Sequence, residues 1–357
     1  MNPKQQVNRF FLLATAPFLG VLMWLLYTQL AVVIPKLETI AAAAAADFSI
    51  HNDAVSIGEK LTSANTETVA LKGTIEKFYE LYDKSSSEAN AMVKLAADQV
   101  SRPTQIFDSR LSGVFGKPTK QVNTGNIDLK LYVFSDKNYK GYALKADLKS
   151  DKAMQMILGK DKIGGSETTL SAANRYGAVA GVNAGGFADD KSGRYPTGTT
   201  VYNGKYVYGF FPSEDNYSFF GLNADRKLIG GKFYRQAELD KLKPTFGATF
   251  VPQLLKSGSK LDIPSQWASS PFRAPRTVIG NFKNDQVLVI VTDGYDERGG
   301  SGSTLAELQD KMQQVGIQDA YNLDGGGSST LVFDGKVVNS PSDGRMRTLP
   351  THFLFFK

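Results

Sequence analysis

Residues 286–324 constrain the fold more tightly than any other stretch of the chain. Gln286 to Thr292 is an apolar run that ends in Asp293-Gly294, and Ile317 to Leu323 is a second one that ends at Asp324. Between them, Leu305, Leu308, Met312 and Val315 fall on one helical face, with Ser303 or Thr304 placed to cap it and Gly316 to stop it. Strand, helix and strand in so few residues predict a right-handed crossover between parallel strands. Parallel strands release their C-terminal ends at one sheet edge, so Asp293 and Asp324 are expected to emerge together.

Asp324 opens a run of glycines, within Asn322-Leu-Asp-Gly-Gly-Gly-Ser328. Glycines let the backbone turn sharply and approach a ligand without side-chain obstruction, although a plain glycine turn has the same local pattern. A second turn of this kind, Asn183-Ala-Gly-Gly-Phe187, follows a short helix read from Ser166 to Arg175 and the small apolar strand Ala178 to Val182. Two carboxylates, a carboxamide and glycine N–H groups at one rim make a polar site. Arg276, before the Asp293 strand, and Arg345, after the hairpin Phe333-Asp-Gly-Lys336, offer guanidinium forks suited to phosphate, or else to surface salt bridges.

The rest of the second half alternates as antiparallel strands do. Tyr142, Leu144, Ala146 and Leu148 point one way, and Lys145, Asp147 and Lys149 the other; Asn203-Gly204 marks a hairpin. Tyr206, Tyr208, Phe210, Phe211, Phe219 and Phe220 suit a sheet core or the wall of a carbohydrate groove. With no cysteine and two histidines, His51 and His352, thiol chemistry is excluded and a serine triad is disfavoured. Asp293, Asp296 and Glu297 cluster as calcium ligands do, but their spacing matches no standard loop, so no cofactor is required. The net charge of +6 is spread rather than clustered and no nucleic-acid motif occurs, so anionic polymers or phosphorylated substrates are the expected partners.

The first third reads differently. From Phe10 to Ile34 nothing is charged, while Lys4 and Arg9 precede it. That length spans a bilayer and the flanking charge predicts a cytoplasmic N-terminus, so residues 1–35 read as a signal anchor that leaves the remainder outside the cell. Cleavage near Ala41 to Ala46 is the rival reading. Residues 36–120 read as a helical stalk and linker, broken at Lys84-Ser-Ser-Ser-Glu88, with heptads too irregular for a coiled coil and oligomerisation through the stalk as one possible use. The expected whole is an α+β protein: a mixed sheet with a parallel βαβ crossover and flanking helices over 121–357, preceded by a transmembrane helix and a stalk.

Taken in order, Asn183-Ala-Gly-Gly-Phe187, Pro275-Arg276-Thr277, Asp293-Gly294, Ser301-Gly-Ser-Thr-Leu305, Asn322-Leu-Asp-Gly-Gly-Gly-Ser328 and Val338-Asn339 to Arg347 resemble the motifs of the phosphodiester glycosidase domain family, in its bacterial, exopolysaccharide-associated branch. The resemblance runs from about Asn126 to Lys357. It implies hydrolysis of a sugar-1-phosphodiester at the glycosidic bond. Asp324 or Asp293 would act as nucleophile or base, and Asn183, Gly185, Gly186, Arg276, Asn322, Gly325, Gly326, Ser328, Arg298 and Arg345 would hold substrate and phosphate. Where the family has Asp-Gly-Arg this chain has Asp293-Gly294-Tyr295, so either Arg298 substitutes or that contact is lost. A non-catalytic binding module for anionic glycans is the alternative.

Overall fold

A computed structural model describes residues 50–214, 216–294, 301–342 and 344–357. The expected anchor at residues 10–34, its cleavage site, Asp296, Glu297 and Arg298 lie outside the described residues. Among the described residues, no helix is long and apolar enough to cross a membrane. The chain divides after Ser87 into two units.

The stalk differs from expectation in one respect. A single helix, Ile50–Phe115, runs through both Lys84-Ser-Ser-Ser-Glu88 and Arg102-Pro103, where a break and a linker were expected. Serine costs a helix only a few tenths of a kcal/mol, and three of them do not outweigh 66 residues of propagation.

In the second unit the protein mixes helices with sheets whose strand pairs are antiparallel. Among the described residues, the largest sheet places its strands in the spatial order Lys120–Asn123, Ile127–Asp136, Tyr139–Leu148, Val287–Thr292, Arg276–Asn281, Asp319–Asn322, Gln253–Lys256, Ser259–Lys260. The strands expected to be parallel neighbours, Val287–Thr292 and Asp319–Asn322, are separated by Arg276–Asn281, which pairs antiparallel with both. They still run in the same direction, so Asp293 and Asp324 leave one edge with about 10 Å, two strand spacings, between their backbones. A five-stranded sheet, ordered Lys336–Val337, Leu331–Phe333, Ala180–Asn183, Thr351–Phe355, Met154–Leu158, supplies the Asn183 turn. Leu129, Leu144, Val289, Tyr321, Val182 and Phe353 belong to the core these elements share.

The opposite face of the large sheet is covered by helices. The apolar face of Leu305–Val315 and the last turns of the long helix, through Phe107, Leu111 and Phe115, pack against Tyr132, Leu288 and Ile290. Because both faces are covered, every residue of Val287–Thr292 is buried. Thr304, one of the two expected caps, accepts from the Glu307 N–H at 3.0 Å while Glu307 accepts from the Thr304 N–H at 2.9 Å. The helix read from Ser166 starts later: Thr168 caps Thr169–Tyr176, accepting from the Ser171 N–H. At the Asn203-Gly204 hairpin both φ angles are positive, 50° and 72°, as a two-residue turn of this hand requires.

Lys145 faces away from the first core, as its alternation predicts, yet is buried. Its ammonium meets Asp108 of the long helix, which also accepts from Lys130 at 2.7 Å. Those two cations hold the Asp108 carboxyl below its usual range despite the opposing effect of burial. Asp108→Asn leaves Lys145 buried without a counter-charge and should lower the stability of this unit by about 3 kcal/mol, measured as a shift in urea midpoint.

Candidate functional site

The glycine loop after Asp319–Asn322 is held by residues expected to hold substrate. The Asn183 side chain is fully buried; its Nδ2 donates to the Asp324 carbonyl at 2.6 Å, and its Oδ1 accepts from Thr277 Oγ1 at 2.9 Å and the Thr330 N–H at 3.1 Å. Every polar atom of the carboxamide is thus committed to fixing the loop. Asn322 is committed in part, donating to the Val251 carbonyl at 2.6 Å. Asn183→Ala leaves the Asp324 carbonyl and the Thr330 N–H without their side-chain partner, while Thr277 keeps Ser329, and thermal or urea unfolding should report a loss of about 2–3 kcal/mol.

Gly185 and Gly186 also serve the scaffold. Their N–H groups donate to Thr351 Oγ1 at 3.2 Å and the Thr249 carbonyl at 3.1 Å, and a Cβ would lie 2.6 Å from Ala248 at Gly185 and 2.8 Å from the Phe250 ring at Gly186. These glycines permit tight packing rather than presenting free donors. Gly325 sits against Arg276, where a Cβ would lie 3.1 Å from the Pro275 carbonyl and 3.8 Å from Arg276 Cδ; Gly326 donates to that carbonyl at 2.8 Å and adopts a φ of 58°. Arg276 is itself buried, and its Nη2 donates to the Pro271 carbonyl at 2.7 Å. It backs the loop.

The two aspartates differ. Asp293 is buried, its Oδ2 accepting from the Tyr142 hydroxyl at 3.1 Å and its Oδ1 from the Ser340 N–H at 2.6 Å. Burial first, and then the charge of Asp293, push the Tyr142 phenol above its ordinary range and keep it a donor. Asn339, next to Ser340, donates to the Ser329 carbonyl at 2.9 Å and accepts from the Leu331 N–H at 2.7 Å. Residues 339 and 340 therefore tie Asp293 to the glycine loop.

Asp324 keeps some exposure, but its Oδ2 is shielded from solvent and lacks a hydrogen-bond partner. Burial pushes its carboxyl up to about 6; the Ser328 hydroxyl, the Arg347 charge, the Gly325 N–H and the Arg194 charge pull in the opposite direction. A carboxyl that titrates near neutrality, with an uncommitted oxygen and two cations close by, is equipped for proton transfer or nucleophilic attack.

Those two arginines, Arg347 and Arg194, were not among the expected phosphate contacts. Arg347 donates to Ser328 Oγ at 3.3 Å. Arg194, on the small hairpin Phe187–Asp190 and Gly193–Pro196, grips Asp189 through Nε at 2.6 Å and Nη2 at 2.8 Å, donates to the Thr348 carbonyl, and lies over the Phe187 ring with its centre 4.2 Å from the centroid. The charge of Arg347 also reaches Asp189. Arg345 is exposed and makes no hydrogen bond or ion pair among the described residues. Arg194 carried no sequence signal beyond its place after the Gly193 turn, and Arg347 stood only in the closing motif.

Of the remaining candidates, His352 is fully buried, bonded through Nδ1 to Thr169 Oγ1 at 3.1 Å and pushed down to about 4 by burial. It packs behind the Asn183 strand, opposite Asn183 in register. Among the described residues no group of three or more histidines or acids is placed to hold a metal ion. Phe220 is a core residue, whereas Phe210, Phe211, Tyr217, Phe233 and the buried Phe219 line a cavity of about 280 Å³ that shares Thr249 with the Gly186 turn.

The phosphodiester glycosidase family matches residues 176–356. The chain is 37% identical over 138 residues to the human N-acetylglucosamine-1-phosphodiester alpha-N-acetylglucosaminidase, covering 35% of this chain and 26% of that one. It is 27% identical over 194 residues to the uncharacterised SPbeta prophage-derived protein YomE of Bacillus subtilis, covering 51% of this chain and 28% of that one. It therefore spans little more than a quarter of the length of these relatives. The zebrafish N-acetylglucosamine-1-phosphodiester alpha-N-acetylglucosaminidase catalytic domain, solved in a form auto-inhibited by its pro-peptide, shares the fold with a TM-score of 0.52 at 17% identity, over 68% of this chain and 86% of that one.

Proposed function

Because the chain belongs to the phosphodiester glycosidase family, we propose that it hydrolyses the glycosidic bond of a sugar-1-phosphodiester. The observation that carries this reading is Asp324: a carboxyl raised to about 6, with one shielded and uncommitted oxygen, beside Ser328 and within the field of Arg194 and Arg347. The C1–O bond breaks, water supplies the oxygen that ends on C1, and the phosphate departs as a monoester. A phosphate is already a good leaving group, so protonating it matters less than absorbing its growing charge, and preorganised guanidiniums suit that task. Asp324 reacts at the anomeric carbon, directly or through one water molecule. Asp293, both of whose oxygens accept hydrogen bonds, positions the rim.

The charge-free run from Phe10 to Ile34, with Lys4 and Arg9 before it, supports a membrane-anchored enzyme whose site faces outward, toward glycopolymers of the cell surface or exopolysaccharide. The full chain, incubated with a sugar-1-phosphodiester, should release free sugar and a phosphomonoester. Release of sugar phosphate would mean that the P–O bond breaks and would overturn the assignment; binding without turnover would favour the glycan-binding reading.

A further inference from the structure

Within the first unit the helix that begins at Ile50 carries residues 57 to 87 in one helical register. Counting from Ile57 in alternate steps of four and three gives positions 57, 61, 64, 68, 71, 75, 78, 82 and 85, and none of them holds a charged residue. Over the same interval the charged positions 59, 60, 67, 72, 76, 77, 80, 83 and 84 all fall elsewhere. Along the seam, Leu61, Leu71, Ile75, Phe78 and Tyr82 are between 47% and 72% exposed.

We propose that this seam binds the same seam of a second copy of the chain, in a parallel, in-register, two-stranded coiled coil. A strict seven-residue repeat keeps one stripe facing a partner only if two helices supercoil about each other. Charge sets the direction. Glu67 precedes a seam position and Lys72 follows the next, and in a parallel pair such positions five residues apart meet across the interface, so Glu67 faces the partner's Lys72. The other pairs of this kind, 60 with 65, 74 with 79 and 81 with 86, contain no like charges. Small residues at Ala64 and Ser85 let two backbones approach closely. A bilayer is a poor occupant, because charges populate the remaining faces of the helix at every turn or two.

The chain has no cysteine, so single cysteines report proximity directly. Leu71→Cys lies on the seam and Glu80→Cys on the outer face; both are exposed and neither belongs to the Asp324 site, so activity should be unchanged. On mild oxidation of the full chain in detergent, Leu71→Cys should yield at least about tenfold more disulfide-linked dimer, since only seam positions meet the geometry of the bond. Adding Ile75→Lys and Phe78→Lys should abolish that yield. Equal yields at 71 and 80, or no dimer from either, would overturn the proposal. Preferential linking of Ile57→Cys chains to Tyr82→Cys chains, rather than each to itself, would overturn the parallel register.

Discussion

Asp324→Asn should reduce release of free sugar by at least about 10³, the range associated with loss of a positioned acid, base or nucleophile, and should at the same time make the protein more stable. The isosteric amide keeps the loop in place, so the loss falls on kcat rather than on substrate binding. The gain in stability follows from the direction of the shift. Burial raises this carboxyl from 3.8 to about 6, so between those values the folded protein holds a proton that the unfolded chain has lost, and stability falls as pH rises through that window. At pH 7 the accumulated cost is about 2–3 kcal/mol, which the uncharged asparagine removes. Urea unfolding of both proteins from pH 4 to pH 7 checks this: the difference should open through the window and then level off. The wild-type kcat/KM should fall below about pH 6, as Asp324 takes up its proton. An asparagine variant that retains activity, or whose stability matches the wild type at every pH, would remove Asp324 from the chemistry.

Arg347→Ala should lower kcat/KM by about 10² to 10³, the scale found when one preorganised partner of a developing negative charge is deleted. Arg347→Lys should recover only part of this. Arg347 already meets Ser328, and a compact ammonium would lack the planar fork needed to reach a phosphate oxygen at the same time. Arg194→Ala should cost less, because Asp189 already occupies two of its nitrogens. Arg345→Ala, exposed as it is, should leave turnover unchanged. Parallel kinetics of the three variants rank the arginines directly.

What was legible in the sequence was direction, and what was not was adjacency. The two apolar runs ending at Asp293 and Asp324 do point the same way, because a helix returns the chain to the start of the sheet. Nothing local reveals that Arg276–Asn281, earlier in the chain, inserts between them by non-local pairing. The glycine motifs were visible for the same local reason, but their partners were not: the Asn183 carboxamide and the Gly185 and Gly186 N–H groups pair with neighbouring backbone and threonine hydroxyls, since a buried loop must pair its polar groups internally. Arg194 and Arg347 stand 153 positions apart and act on Asp324 only because the small hairpin and the closing segment fold over the same loop. In the stalk, three consecutive serines mimic a hinge although the helix Ile50–Phe115 includes them.

The strand Thr351–Phe355 lies in the interior of its sheet, between Ala180–Asn183 and Met154–Leu158. Its partners in that sheet are about 170 to 200 positions earlier in the chain, and the Asn183 bond to the glycine loop closes a separation of 141. Contacts of such long sequence separation are slow to form. Until residue 355 is in place, two sheet edges stand open, with hydrogen-bonding groups that pair as readily with another molecule as with the missing strand. Assembly of the Asp324 pocket is therefore a late event in folding, and a chain cut short of Thr351 meets chaperones and proteases before that pocket exists.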